Sequence, residues 1–201
     1  MRWLVSLLLC LLLSACFTSG KRGGDTAMAI YDFGSVTTTL LPAPRLYPMA
    51  LEVRAPLWFD SLGIDYRLAY ADAARLREYA KARWAGPPAQ LIQQRLMQQL
   101  DLSMAGQGQT RCLLRLEITE FSQVFSSPES SKGILKVRAL LFDRSRRQLA
   151  GLDLNLEQSA SSQDAVGGVR ALAASVAQLA IQLQAWEQSL GAAGKSGGCS
   201  G

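Results

Sequence analysis

Apolar and polar residues alternate along several stretches of this chain, and elsewhere the apolar residues recur at helical spacing; the order of these stretches predicts its elements. Residues 27–33 form a short apolar and aromatic segment, read as a first strand, and a polar run rich in Ser, Thr and Pro follows through Pro44. Residues 46–55 read as a second strand, with Leu51 and Val53 alternating against Glu52 and Arg54. In residues 64–70, Ile64, Tyr66, Leu68 and Tyr70 fall on one side and Asp65, Arg67 and Ala69 on the other, and a short piece at 76–79 is expected beside them.

Trp84-Ala85-Gly86-Pro87-Pro88 reads as a break, after which Ile92, Leu96 and Leu100 make residues 89–100 an amphipathic helix with Gly106 and Gly108 beyond its end. Cys112, Leu114, Leu116 and Ile118 then alternate with Arg111, Leu113, Arg115 and Glu117, the clearest half-buried strand. Residues 133–143 and 148–158 read as a hairpin joined by Arg144-Ser145-Arg146-Arg147. From 164 to 190 the period is helical, with Asp164 as N-cap, Val169, Leu172, Val176, Leu179 and Leu183 on one face, and Gly191 as the stop. The predicted fold class is α+β: a mixed, largely antiparallel sheet of about five to six strands with two main helices packed on one face. The glycine-rich residues 191–201 are expected to be a disordered tail.

The start of the chain has a different pattern. Met1 and Arg2 precede an almost wholly apolar run over residues 3–13, and Leu13-Ser14-Ala15-Cys16 follows at once, the order of a secretory signal peptide. The run falls short of the roughly 20 apolar residues of a transmembrane helix. Leu-Ser-Ala-Cys resembles the bacterial lipobox, which implies that Cys16 is alkylated with diacylglycerol and becomes the first residue of the mature protein. Residue 17 is Phe and not the Asp of the usual inner-membrane retention signal, so the resemblance implies outer-membrane delivery. The expected layout is a leader over 1–15, the lipidated cysteine and a flexible tether over 16–26, and a domain over 27–190. A tether of this length holds the domain on average about 18 Å from the bilayer.

Composition narrows the chemistry. The chain has no histidine, which excludes Ser-His-Asp and Cys-His triads, histidine general bases and His-containing zinc sites. Its 21 Lys and Arg, one of them Arg2 in the leader, against 16 Asp and Glu make a mildly basic surface that suits an anionic partner. Of the four cysteines, only Cys112 and Cys199 remain for the folded domain. In an oxidising compartment they are able to pair. A buried thiol on the strand with a mobile tail is the alternative, and the sequence leaves both open. No Cys-x-x-Cys supports a redox or zinc motif.

Further along, Ile64-Asp65-Tyr66-Arg67-Leu68, Tyr79, and Arg83-Trp84-Ala85-Gly86-Pro87-Pro88 leading to Leu91 and Arg95-Leu96 resemble the ABC-type transport auxiliary lipoproteins, the PqiC-like family. Glu120-Phe121-Ser122-Gln123-Val124-Phe125 and the stretch from Val169 to Trp186 extend the resemblance over about residues 27–190. It implies a non-enzymatic, outer-membrane lipoprotein on the periplasmic side. Such a protein serves a lipid-transport system in which an inner-membrane permease and an MCE-domain protein form a conduit whose distal end it docks or receives. Some members assemble into homo-oligomeric rings. No cofactor is implied beyond the covalent lipid on Cys16, and export disfavours nucleic acid. The alternative is a structural envelope lipoprotein stabilising another outer-membrane complex.

Candidate contact residues are Trp58 and Trp84, with Tyr66 and Tyr79, although aromatic residues on strands are more often core. Arg67 is a further candidate for partner or lipid contact; opposite Tyr66 on a regular strand, it is expected to be exposed or ion-paired with a neighbouring carboxylate such as Asp65 or Asp72. Arg144, Arg146 and Arg147 are placed to touch phospholipid headgroups or an acidic partner, or else form a solvated hairpin tip. An enzymatic reading would need a carboxylate pair drawn from Asp60, Asp65 and Asp72, which no motif brings together. Gly191 to Ser196 mimics a phosphate loop, but two residues where four are needed separate Gly191 from Gly194-Lys195.

Overall fold

The long alternating stretch that begins at Cys112 becomes the strand about which the others are ordered. The structure, a computed structural model, describes residues 27–35, 40, 47–107, 109–194 and 197–200; the leader, Cys16 and the tether lie outside them. Among the described residues, eight strands form one sheet: β1 Ala29–Tyr31, β2 Met49–Arg54, β3 Gly63–Leu68, β4 Leu76–Trp84, β5 Ser103–Met104, β6 Cys112–Ser127, β7 Ser130–Asp143 and β8 Gln148–Ser159. β7 occupies one whole edge of β6, antiparallel, and β8 lies antiparallel outside β7. β2 and β3 share the other edge end to end, both parallel to β6: Met49 to Arg54 pair with Cys112 to Glu117, and Tyr66 to Leu68 with Gln123 to Phe125. β5 lies parallel outside β2, while β4 pairs antiparallel with β3 and parallel with β1. The two long antiparallel ladders dominate, so the α+β expectation holds, with more strands than the sequence pattern counts.

β6 extends nine residues past Ile118, and the reason is a change of phase. A bulge between Ile118 and Glu120 shifts the inward set from Cys112, Leu114, Leu116 and Ile118 to Phe121, Gln123 and Phe125. A two-residue pattern read from the N-terminal half therefore fails in the second half, although the strand continues. β4 behaves similarly: Arg77 and Tyr79 are half-buried, then Ala82 and Trp84 are buried, so the strand runs past the expected 76–79 to Trp84, the first residue of the expected break. In β3 a shift at Gly63 and Asp65 buries Ile64 and Asp65 together.

Two main helices cover one face of the sheet. After the short α1, Ala69–Asp72, α2 spans Pro88–Leu100 with Pro at its first turn. It ends at Asp101, whose φ of 48° is left-handed, so it stops before Gly106. The helix α3, Ala165–Ala192, is capped by Asp164, whose Oδ1 accepts the Gly167 N–H at 2.8 Å. Among the described residues, α3 is the one helix long and apolar enough to cross a membrane, yet more than half of that stretch is buried within the fold. Leu172, Val176, Leu179 and Ala180 are wholly buried with Ile92 and Leu96 of α2 and Leu116 and Leu135 of the sheet, so its apolarity is that of a core helix.

Close approach of α3 to the sheet depends on glycine. A Cβ at Gly133 of β7 would lie 2.7 Å from the Leu172 nitrogen and 2.8 Å from the Ala171 carbonyl carbon, both backbone atoms. Neither can step aside without moving the helix.

The C-terminal segment departs from the expectation of disorder. α3 runs to Ala192, a four-residue helix α4 spans Gly197–Ser200, and Cys199 is disulfide-bonded to Cys112 across a Cα separation of 5.4 Å. Gly198 packs against Leu149 and Asp143 at the base of the β7–β8 hairpin. Glycine-rich composition marks the segment as unable to fold by itself, and the cross-link to β6 supplies what local propensity lacks.

Gly133→Ala is expected to destabilise the protein by about 1–3 kcal/mol through overpacking, read as a lower urea midpoint. An unchanged midpoint would show that α3 can lift from β7 freely.

Candidate functional site

Three places hold the residues singled out by the sequence. The first is the gap between β2 and β3. β2 and β3 share one edge of β6, and the chain between Arg54 and Tyr66 is longer than the stretch of β6 between their partners Glu117 and Gln123, so the surplus leaves the sheet in a 3-10 turn, Leu57–Asp60. Phe59 is buried and anchors the turn, its N–H donating to the Pro56 carbonyl at 2.9 Å. Leu57 and Trp58 are held outward, 85% and 65% exposed. Two large apolar side chains kept in solvent by a buried neighbour form the most prominent contact candidate on this edge. Trp84, by contrast, is 1% exposed and packs against Phe33 and Phe121, with ring centroids 5.3 and 5.7 Å apart, so it is a core residue and not a contact surface.

The second place is the far end of β3. Arg67 Nε lies 3.5 Å from Glu120 of β6, and its guanidinium donates to the carbonyls of Ala73 and Ala74. The expected ion pair is present, with Glu120 as partner in place of Asp65 or Asp72, and it ties the turn after α1 to the sheet. Asp72 instead accepts the Ala74 N–H. Beside them runs a polar chain, buried at its middle and open at its ends: Tyr79 donates to Gln123 at 2.8 Å, Gln123 to Ser131 at 2.8 Å, and Ser131 to Gln163 at 2.6 Å. Tyr66 stacks on Tyr79 with centroids 4.6 Å apart. Burial, with Tyr66 and Asp164 nearby, pushes the Tyr79 hydroxyl's pKa up, keeping it a donor. Gly168 leaves room for this chain, since a Cβ there would sit 2.1 Å from Gln123 Oε1. Tyr66, Tyr79 and Gln123 are among the residues that carry the resemblance, and they tie β3, β4 and β6 together.

The third place is the end of the sheet bearing the β7–β8 hairpin. Arg147 is held there, its backbone N–H and Nε reaching the two Asp143 carboxylate oxygens at 2.9 and 3.2 Å. The N–H of Arg147, before other causes, holds the Asp143 carboxyl below its usual range. Arg144 and Arg146 line a cleft of about 390 Å³ with Arg54, Arg111 and Arg115, above Ala50 and Leu113. Glu52 bridges two of these arginines: its Oε1 lies 2.8 Å from Arg54 and its Oε2 2.8 Å from Arg115. Burial raises the Glu52 pKa, but the hydrogen bonds from Arg115 and Arg54 outweigh it and keep the carboxylate charged. Arg115 also lies over the Phe142 ring, 4.8 Å from its centroid. Sequence reading found only the hairpin arginines of this group, because Arg54 and Arg115 become neighbours through the parallel β2–β6 register.

The carboxylates considered for catalysis are dispersed over the 3-10 turn, β3 and α1. Asp65 is 6% exposed, and burial first, then Glu78 and Glu120, push its pKa up to about 7 against the opposing pull of Arg67. The folded state therefore keeps a proton that the unfolded chain releases, so this group's contribution to stability falls as pH rises from 3.8 to about 7. Asp65→Asn is expected to stabilise the protein by on the order of 2 kcal/mol at about pH 8 and by little at about pH 5. Thermal unfolding of both proteins at the two pH values checks this; equal shifts at both would reject it.

Comparison with known proteins places this architecture. The family model described as ABC-type transport auxiliary lipoprotein component matches residues 51–184. No curated protein matches the chain. A Xanthomonas campestris protein of the DUF330 family is similar in structure, with a TM-score of 0.70 at 18% identity, covering 84% of this chain and 99% of its own. A second solved structure, described only as an uncharacterized protein, gives 0.60 at 16% identity over 78% of this chain and 96% of its own. At these identities the likeness speaks for the fold alone. The match over two thirds of the sequence, from β2 into α3, shows that the chain belongs to the ABC-type transport auxiliary lipoprotein component family.

Proposed function

We propose that this protein is an outer-membrane lipoprotein, anchored through Cys16 and facing the periplasm, that serves as the accessory component of an envelope-spanning lipid-transport system. Its partners in this reading are an MCE-domain protein and an inner-membrane permease, whose conduit it docks or receives at the distal end. Family membership over residues 51–184 is the observation that carries the reading, because the family's own description combines a lipid anchor with an auxiliary role in ABC-type transport. An auxiliary role of that kind is non-enzymatic. The lipobox Leu13-Ser14-Ala15-Cys16 followed by Phe17 supports the anchor and its destination. A short tether confines the domain near one membrane and raises its effective concentration towards partners that end there.

The docking surface in this reading is Leu57 and Trp58, since docking favours exposed aromatic and aliphatic anchors on a rigid base, and Phe59 supplies that base. A ring of identical chains is the assembly the family resemblance suggests. The outer edge of β8, which pairs only with β7 among the described residues, supplies backbone groups for such a contact.

Crosslinking and affinity purification of the native protein from membranes, with mass spectrometry of proteins and lipids, tests the proposal. Recovery of an MCE-domain protein with its permease is expected, and Leu57→Ser with Trp58→Ser should lower that recovery by about tenfold while leaving thermal stability nearly unchanged. Recovery of outer-membrane or peptidoglycan-associated proteins alone would replace it with the structural-lipoprotein reading. Separately, Cys16→Ala should abolish palmitate labelling and release the protein from the anchored fraction; labelling at the level of the unaltered protein would reject Cys16 as the acylation site.

A further inference from the structure

We infer that the arginine-lined cleft on the helix-free side of the sheet binds a phosphoryl group, carried by a phospholipid headgroup or by free phosphate. The inference rests on the cleft and does not depend on the identity of the protein's partners. Five arginines reach it from separate parts of the chain: Arg54 from β2, Arg111 from the segment before β6, Arg115 from β6, and Arg144 and Arg146 from the hairpin. Gathering like charges around a concave surface opposes folding unless an anion or a function compensates, and such a surface concentrates field within the cleft.

The carboxylates among the described residues leave the charge of Arg144 and Arg146 unbalanced. Glu52 is already shared between Arg54 and Arg115, and Asp143 is taken by Arg147, which does not line the cleft. Among the described residues, no carboxylate lies within ion-pair distance of Arg144 or Arg146. Guanidinium groups present paired N–H donors that match phosphate oxygens, and the Glu52 bridge with the Phe142 ring holds Arg115 in place before any ligand arrives. Below the charged rim, Ala50 and Leu113 provide an apolar floor suited to the glycerol and first methylenes of a lipid.

Backbone conformation gives an independent sign. Arg146 has φ of +61°, a left-handed turn position that favours glycine or asparagine. Its N–H closes the turn on the Asp143 carbonyl at 3.0 Å, as any residue's would, so the turn itself does not call for arginine. A long cation at a position where glycine would be more stable points to a use for the side chain.

The test uses the acylated full-length protein in a neutral detergent at low ionic strength. Calorimetric titration with sodium phosphate, against sodium chloride of matched ionic strength, addresses the free anion. Native mass spectrometry after incubation with phosphatidylglycerol or with diacylglycerol addresses the lipid. Heat specific to phosphate, adducts specific to phosphatidylglycerol, or both, are expected, and the pattern tells which source the site takes. Arg144→Ser with Arg146→Gly should weaken whichever binding is seen by about tenfold or more. Arg146→Gly alone should weaken binding while raising the melting temperature, which separates loss of the site from loss of the fold. Arg138→Ser, on β7 outside the cleft, should bind as the unaltered protein does. The absence of both phosphate-specific heat and any preference for phosphatidylglycerol would overturn the inference, as would binding undiminished in the double variant.

Discussion

One edge of β6 serves two strands. An edge offers a single row of hydrogen-bonding groups, so β2 and β3 follow one another along it; twelve positions separate Arg54 from Tyr66 where six separate their partners Glu117 and Gln123, and the surplus chain leaves the sheet. That exit is the 3-10 turn that buries Phe59 and leaves Leu57 and Trp58 in solvent. The same sharing places Glu52 and Arg54 alongside Arg115 and Glu117 at one end, and Arg67 near Glu120 at the other. The apolar projection, the arginine cleft and the ion-paired end of β3 are thus three consequences of how one strand is partnered.

The second constraint is the distance between α3 and the sheet. Gly133 admits the helix backbone and Gly168 admits the Gln123 amide, so helix and sheet approach more closely than Cβ atoms would allow. The polar chain from Tyr79 through Gln123 and Ser131 to Gln163 then crosses β4, β6, β7 and the segment before α3 with its donors matched to acceptors. Tyr66, Tyr79, Trp84, Phe121 and Gln123, which are among the residues that carry the resemblance, lie in this chain or in the aromatic cluster beside it.

Charge is distributed unevenly over the sheet's outer face. Along β7 and β8 the cations are balanced across strands, Lys132 with Glu157 and Arg138 with Asp153, as solvated strands commonly are. At the hairpin end the balance is lost, because the parallel β2–β6 pairing and the hairpin tip contribute arginines to one concavity. The disulfide of Cys112 reaches the same end and secures Cys199 beside the residues that flank the hairpin turn. The carboxylate most perturbed by burial, Asp65, lies away from this charge, beside Arg67 and Glu120.

Legibility of the chain followed the range of the forces involved. The helices α2 and α3, the Asp164 cap, the β7–β8 hairpin and the first half of β6 depend on spacing within one element, and the sequence alone determined them, together with the class of the fold and the family resemblance. The second half of β6 and the end of β4 were hidden because a bulge or shift reverses the inward phase, and phase is set by the neighbouring strand. Trp84 read as part of a break and Arg67 as a partner of Asp65 or Asp72 because only the stacking of β4 on β3 and of β3 on β6 decides what surrounds them. The C-terminal segment read as disordered because its glycines have no local preference, and a bond to a residue 87 positions away orders it. Arg54, Arg111, Arg115, Arg144 and Arg146 are scattered in sequence; the tertiary structure alone made them one site, because strand pairing gathers residues by register and not by distance along the chain.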